Sequence, residues 1–244
     1  MKEIYDNHLL ISNQKDVNVK TIDRFWQRLN MFLACNVGEC PRVVFTSDQA
    51  KWLKHSEGEN ARCFYDEVTG SLVFWANNYL LNSKYVKEDV PLKIIKYAEE
   101  NGYTYVIPLT DIYHEMVHHV QYVTGDWLKD DLLEATAEHT TFMITGQKSD
   151  EYIEQSVALW HIARKILKLK NWEFYIFIRD AVVDANFYKE YFDNPKFIKM
   201  LAEEHSGSIE KFFANMTTKY GKYKLKASMV RDLKKIHNLL FYKW

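Results

Sequence analysis

The chain is poor in glycine, proline and cysteine. Its 244 residues include 8 Gly, 4 Pro and 3 Cys. So few chain breakers predict few long loops. An odd number of cysteines does not suit a disulfide framework, and it predicts free thiols in a reducing compartment, which we take to be the cytoplasm. Cys35 and Cys40 have the spacing of a metal pair, but no second pair lies nearby, so ordinary thiols are favoured.

Long apolar runs are also absent. The segment Met1 to Asp6 has no signal-type apolar stretch, and no later segment approaches the length of a membrane span. The formal net charge is −1, with 47% hydrophobic and 27% charged residues. This balance is ordinary for a globular protein, and it does not favour binding to nucleic acid or to an anionic membrane.

The predicted secondary structure changes along the chain. The sequence predicts an α+β fold, with a small mixed α/β lobe at residues 1–108 and a mostly helical region at 109–244. Together these parts are most simply one domain. The elements predicted in the first lobe are a helix (19–33), a strand (42–46), a helix from Ser47, a hairpin around Gly70 and a helix (92–101).

The most informative motif is His114-Glu115-Met116-Val117-His118. On a helix, residues four apart share one face, so His114 and His118 can hold the same metal ion. Glu115 is turned by about 100° around the helix, beside the ion and next to a bound water. This arrangement suits a zinc-activated hydrolase with a glutamate general base.

The flanking sequence favours a well-formed helix over a surface helix with solvated histidines. Residues 105–107 read as a short apolar strand that Pro108 ends, and Thr110 or Asp111 can cap the helix that follows. The predicted apolar stripe and stop signal of this helix are Ile112, Met116, Val117, Val120 and Gly125.

A catalytic zinc usually has three protein ligands, so a third ligand is expected besides His114 and His118. A metzincin needs Gly at 121 and His at 124, where this chain has Gln121 and Thr124. A deformylase-like site needs a cysteine in a glycine-rich context, which Cys63 lacks. A di-iron carboxylate site needs a second Glu-x-x-His, and the chain has none.

A second predicted helix carries two acidic residues one turn apart. If Glu134 faces the metal, Glu138 lies one turn further along, where it can accept the outer N–H of a ligating imidazole. Ala135 and Ala137 keep the helix thin enough to approach the first helix closely. The alternative for this pair is a solvated acidic face, which the preceding His-Glu-x-x-His disfavours.

The two segments together resemble the gluzincin pattern of the peptidase MA-like superfamily. In that pattern a Trp-Leu…Glu-Gly-x-Ala-Glu helix follows the zinc motif, as Trp127-Leu128 and Glu134 to Glu138 follow it here. The resemblance implies a zinc metallopeptidase with His114, His118 and Glu134 as ligands, Glu115 as base and Glu138 behind the ligands. The chain departs from the pattern at Ala135, at Glu138 and in a short insertion after Trp127.

The resemblance extends upstream to the hairpin around Gly70. In gluzincins a similar hairpin supplies an edge strand along the cleft, and such a strand can pair with an extended peptide. The candidate substrate-binding residues that this implies are Val73, Phe74, Trp75, Ala76 and Asn77. An ordinary hairpin without this role is the alternative.

The expected reaction is hydrolysis of peptide bonds in a peptide or protein substrate. A further donor should stabilise the oxyanion, and the candidates are His161, Tyr175, Arg179 and Tyr188. The alternatives are a zinc hydrolase of a non-peptide amide and a non-catalytic binding protein with a structural zinc. The basic runs at 164–170 and 222–235 read as solvated helix faces, although a protein partner could bind the helical lobe there.

Overall fold

Two small sheets and a larger set of helices make up the α+β fold of this chain. The computed structural model describes residues 1–13, 19–48, 63–66, 68–124, 130–147, 152–184, 186–187, 191–193, 195, 197–199, 202, 211 and 222–241. The helix predicted from Ser47 lies outside these residues. Among the helices that are described, none combines the length and the apolar character needed to cross a membrane.

The strands of the described residues form two three-stranded sheets. In order along the chain they are β1 (Lys2–Tyr5), β2 (His8–Ile11), β3 (Arg42–Thr46), β4 (Cys63–Asp66), β5 (Ser71–Trp75) and β6 (Tyr105–Pro108). The first sheet has the order β1-β2-β6 and is antiparallel throughout. The second has the order β3-β5-β4, with β5 parallel to β3 and antiparallel to β4.

The described residues also form α-helices. They are α1 (Lys20–Leu33), α2 (Lys84–Asp89), α3 (Leu92–Glu100), α4 (Leu109–Thr124), α5 (Asp130–Thr145), α6 (Ile153–His161), α7 (Asn171–Val183) and α8 (Lys222–Phe241). A 3-10 turn at Ala76–Tyr79 follows β5, and a π-helix at Ile162–Ile166 extends α6.

The first hairpin, β1 to β2, did not emerge from the sequence. Its two-residue turn is Asp6-Asn7, and both residues have positive φ, at 44° and 64°. A turn of this kind matches the twist of antiparallel strands, and Asp and Asn are among the residues that tolerate it best. The dipeptide Asp6-Asn7 between two short runs that contain apolar residues is therefore the sequence feature that indicates this hairpin.

The chain forms two compact units, one comprising residues 1–26 and 38–119 and the other residues 27–37 and 120–244. The first unit holds both sheets, and its core includes Leu10, Val86, Ile94 and Val106, all fully or almost fully buried. The described residues of the second unit form helices and the segments that join them. The predicted boundary at 108/109 coincides with the start of α4, whereas the two units divide inside that helix.

Helix α4 begins immediately after β6, which changes one detail of the prediction. Because Leu109 is already helical, Thr110 and Asp111 lie in the first turn and neither is the cap residue. An acidic residue in the first turn still stabilises the positive end of the helix dipole. The predicted apolar stripe is confirmed, since its four members are completely buried: Ile112, Met116, Val117 and Val120.

Candidate metal centre

The side chains of His114 and His118 converge on one face of α4. Their Nε2 atoms lie 2.7 Å apart, and the ring centroids are 4.4 Å apart with planes inclined by 78°. At this separation one imidazole donates an N–H to the other. His114 is buried and His118 is half-buried, so the pair lies at the margin of the folded interior.

Glu134 on α5 completes the group that the sequence predicted. One ligand atom from each of His114, His118 and Glu134 lies within 4.8 Å of the other two. Glu134 is half-buried and does not belong to a solvated acidic face.

Helix α5 is held to the later turns of α4 by a polar contact. The Gln121 side-chain amide donates to Thr136 Oγ1 at 2.8 Å and to the Leu133 carbonyl at 3.3 Å. Thr136 Oγ1 also bonds the Leu132 carbonyl of its own helix at 2.8 Å, which fixes the hydroxyl. Glu134 lies between Leu133 and Thr136, the two residues that accept hydrogen bonds from the Gln121 amide. This contact therefore fixes the position of Glu134 along α4.

The donor set fits a zinc ion. Zinc in proteins accepts imidazole nitrogen and carboxylate oxygen, and catalytic sites often use two histidines and one glutamate. Two ligands of a tetrahedral zinc lie about 3.3 Å apart when their bonds are about 2.05 Å long. The observed Nε2–Nε2 distance of 2.7 Å is shorter. The rings would therefore separate by about 0.6 Å around an ion, a small side-chain adjustment.

Glu115 points to a different set of neighbours from the two histidines. Its carboxylate accepts a hydrogen bond from the thiol of Cys63 on β4. Burial raises the pKa of the Cys63 thiol, and the charge of Glu115 and this hydrogen bond raise it further. The thiol consequently stays protonated at neutral pH and remains a donor to the carboxylate.

A second acidic group on the same face of α4 is anchored by tyrosines. Asp111 Oδ2 accepts the hydroxyl of Tyr85 at 2.6 Å and that of Tyr79 at 3.2 Å. Tyr79 is fully buried, and burial followed by the charge of Asp111 raises its pKa. Asp111 lies four residues before Glu115, so the two carboxylates stack along one side of the helix.

Glu138 lies one turn beyond Glu134 and is buried at 7% exposure. It lines a small cavity of the helical unit together with residues of α6 and α8, among them Ser156 and Leu233. Burial excludes the solvated acidic face for this residue. Its predicted hydrogen bond to a ligating imidazole remains a prediction.

The candidate substrate-binding segment begins in the centre of a sheet. Val73 and Phe74 pair with β3 on one side and with β4 on the other, because β5 is the central strand of its sheet. Trp75 pairs with Thr46, and Ala76 and Asn77 belong to the 3-10 turn. Val73 and Phe74 are therefore not edge-strand residues, and the substrate-binding role of Val73–Asn77 stays a prediction. The hairpin itself is confirmed, and Gly70 in its turn has φ +60°.

The candidate oxyanion donors differ in how their polar groups are engaged. Tyr175 donates its hydroxyl to the Phe32 carbonyl at 2.6 Å, and Arg179 Nε donates to Asp180 Oδ1 at 2.8 Å. These bonds hold both donors within the helical unit. His161 is the last residue of α6, and Tyr188 lies outside the described residues.

Two parts of the sequence pattern have different outcomes. Ala135 and Ala137 are completely buried, as expected for a thin helix that packs closely. Trp127 and Leu128, which carried part of the family resemblance, lie outside the described residues.

Comparison of the chain with protein-family models, with curated proteins and with solved structures found no match.

Proposed function

We propose that this chain is a zinc-dependent metallopeptidase of gluzincin type. The observation that supports the proposal is the convergence of His114, His118 and Glu134, with one ligand atom from each within 4.8 Å of the others. A cluster of this kind that arose by chance would have no reason to carry a carboxylate directly after its first histidine. Glu115 occupies that position here, and it is held by a neighbouring thiol.

The proposed division of labour follows from the donor types. His114, His118 and Glu134 would hold the ion, which when bound would polarise the substrate carbonyl and make a bound water more acidic. Glu115 accepts a proton from the attacking water and passes it to the leaving nitrogen. Cys63, by donating to one side of this carboxylate, restricts its rotation and acts as a positioning residue.

A zinc hydrolase of a non-peptide amide is the second candidate. The central position of β5 favours it, because Val73 and Phe74 already have backbone partners on both sides and no extended peptide can pair with them. The same ligands and the same base would serve either substrate. A peptidase therefore needs another surface to bind the substrate backbone.

The proposed location is the cytoplasm. All three cysteines are free thiols: Cys35, Cys40 and Cys63. Free thiols are usual in reducing compartments.

The deciding experiment compares purified protein loaded with zinc with its Glu115→Gln variant, using Glu99→Gln on α3 as the matched control. We expect one zinc per chain in all three proteins. Turnover of an unfolded protein such as casein should fall by about 10²- to 10⁴-fold in Glu115→Gln alone. Substrates are casein and a panel of small acyl amides.

Each result has a defined meaning. Cleavage of amides but not of casein would favour the second candidate. Zinc binding with no turnover of either substrate class would support a structural zinc site in a binding protein. Full activity of Glu115→Gln would refute the assignment of the base. Failure to bind zinc would refute the metal site and with it both hydrolase proposals.

A further inference from the structure

The helical unit carries an open groove of about 680 Å³ that combines positive charge with exposed apolar side chains. We call it the basic groove and define it by Lys165, Lys170, Trp172 and Leu239. All four residues belong to residues 120–244, so the groove is a feature of this unit alone. It contains none of the candidate metal ligands.

The floor of the groove is a fixed polar network. Arg164 Nε donates to Asp232 Oδ2 at 3.1 Å, and Trp160 Nε1 donates to the same oxygen at 3.2 Å. The other nitrogens of the Arg164 guanidinium donate to the Leu169 carbonyl and to Asn171 Oδ1. The side chains of Arg164 and Asp232 are 15% and 16% exposed, so this pair is largely shielded from water. The charge of the Asp232 carboxylate, which lines the groove, is thus neutralised by Arg164.

The lysines on the rim remain available to a ligand. Lys165 lies with its ammonium 5.4 Å from the centroid of the Trp160 ring, and both Lys165 and Lys170 are exposed. Among the described residues, no carboxylate forms an ion pair with either ammonium. Since Asp232 is already paired, the groove has a net positive charge.

The apolar members of the groove are unusually exposed. Trp172 is 63% exposed and Leu239 is 66% exposed. Trp172 is not loose, because its ring packs on Tyr175 with centroids 4.9 Å apart. A held tryptophan with a free face is a common anchor point in protein interfaces. Apolar surface rimmed by polar groups also marks many interaction sites.

We propose that the basic groove binds an acidic peptide segment of a partner protein that carries an apolar side chain among its carboxylates. The carboxylates would pair with Lys165 and Lys170, and the apolar side chain would cover Trp172 and Leu239. Complementary charge directs the encounter, whereas the aromatic anchor supplies most of the affinity.

The same chemistry makes nucleic acid the weaker occupant. Arg164, whose planar fork would suit a phosphate, has its donors engaged within the floor. Nucleic-acid binding that depends on phosphate contacts uses many cations, and the formal net charge of this chain is −1. Leu239 adds apolar contact area, which a peptide side chain uses better than a phosphate backbone.

The test uses the full chain and a fluorescein-labelled peptide of about twelve residues, built from Asp and Glu around a central Leu-Trp pair. We expect saturable binding, measured by fluorescence anisotropy, that weakens as salt is raised. The double variant Lys165→Glu/Lys170→Glu should weaken binding by about tenfold or more. The control Lys87→Glu/Lys96→Glu changes two exposed lysines of the other unit and should bind as the parent does.

An apolar comparison completes the design. Leu239→Ala should weaken binding by about threefold to tenfold, whereas Leu92→Ala, at 64% exposure on α3, should have no effect. Circular dichroism verifies that each variant is folded. If the lysine variant does not fold, the leucine pair and the salt dependence decide the question.

Four results would overturn the proposal. They are no binding up to about 1 mM peptide, equal binding by the groove variants and their controls, equal binding of a peptide with Asn and Gln in place of its acids, and tighter binding of single-stranded RNA than of the acidic peptide.

Discussion

The two helices of the candidate metal centre carry histidines with different surroundings: His114, His118 and His119 on α4, and His139 on α5. On one face His114 and His118 bring their Nε2 atoms within 2.7 Å of each other. Away from this pair His119 packs against the Trp26 ring, at 5.8 Å between centroids, and His139 Nε2 donates to the Ser156 carbonyl at 3.0 Å. All of these except the half-buried His118 are buried.

The comparison shows that burial and neutrality do not make a histidine a ligand. Burial lowers the pKa of His119, and it lowers the pKa of His139 to about 3. Both rings are therefore neutral at pH 7, as a metal ligand must be. What distinguishes His114 and His118 is that their nitrogens aim at one point, with Glu134 nearby. Convergence is the discriminating property.

The sharpest way to break this comparison is to remove one histidine of each kind. We expect His118→Ala to weaken zinc binding by at least about a hundredfold, because a lost ligand should cost more than a lost outer partner. His119→Ala should keep the zinc affinity of the parent and lower the midpoint of thermal unfolding. Competition with a chromophoric chelator measures the affinity. Equal zinc affinity in the two variants would remove the distinction.

The second prediction concerns pH and the histidine that is not a ligand. In the folded protein the pKa of His139 is about 3, against an ordinary value of 6.5. Below pH 6.5 the unfolded chain takes up a proton there and the folded chain does not, so stability falls as the pH falls from 6.5 towards 3. Between pH 6.5 and 5 the loss should be about 2 kcal/mol.

The variant His139→Gln tests this assignment, because it offers a donor for the Ser156 carbonyl and does not titrate. Urea unfolding at several pH values should give a shallower dependence for the variant than for the parent. An unchanged slope would show that other groups cause the acid sensitivity.

The third prediction addresses the contact that positions α5. Gln121→Ala removes the donor to Thr136 Oγ1 and should lower the free energy of unfolding by about 1–1.5 kcal/mol. It should also weaken zinc binding, since Glu134 loses its fixed position along α4. Val123→Ala, which changes a half-exposed residue of the same helix, is the control and should alter neither. A stability loss without any change in zinc affinity would mean that Glu134 is held by other contacts.

The smallest expected effect belongs to the neighbour of the general base. Cys63→Ala should lower kcat by about fivefold with KM and zinc content unchanged, because Glu115 loses one hydrogen bond. Cys63→Ser keeps a donor and should retain most of the rate. Cys40→Ala, a partly buried thiol of the same unit, serves as control. If the alanine and serine variants are equally slow, the thiol does not act through its proton.

The sequence was sufficient for features that repeat locally. Residues four apart and a regular apolar stripe predicted α4 and the face that carries His114 and His118, and the observed helix buries the expected residues. Gly70 predicted a turn with positive φ. Strand β3 has the predicted bounds, Arg42–Thr46. Each of these depends on neighbours within a few residues, which is where helix and turn energetics are decided.

Contacts between distant residues were not predictable in the same way. The parallel pairing of β3 with β5 places Val73 in the centre of its sheet, and nothing in the local pattern of either strand distinguishes a central strand from an edge. The hydroxyls of Tyr79 and Tyr85 reach Asp111 across 32 and 26 residues of sequence. The residues next to Cys63 in the sequence indicate no functional site, and only the fold brings its thiol to Glu115.

The mixed nitrogen and oxygen donor set has a practical consequence for metal identity. Sites with two imidazoles and one carboxylate generally bind copper more tightly than either nickel or zinc. If His114, His118 and Glu134 hold zinc as proposed, protein eluted from a nickel resin or grown with excess copper would carry another ion at this site. The metal found in a purified sample reports on its preparation until it is stripped and reloaded from a defined buffer.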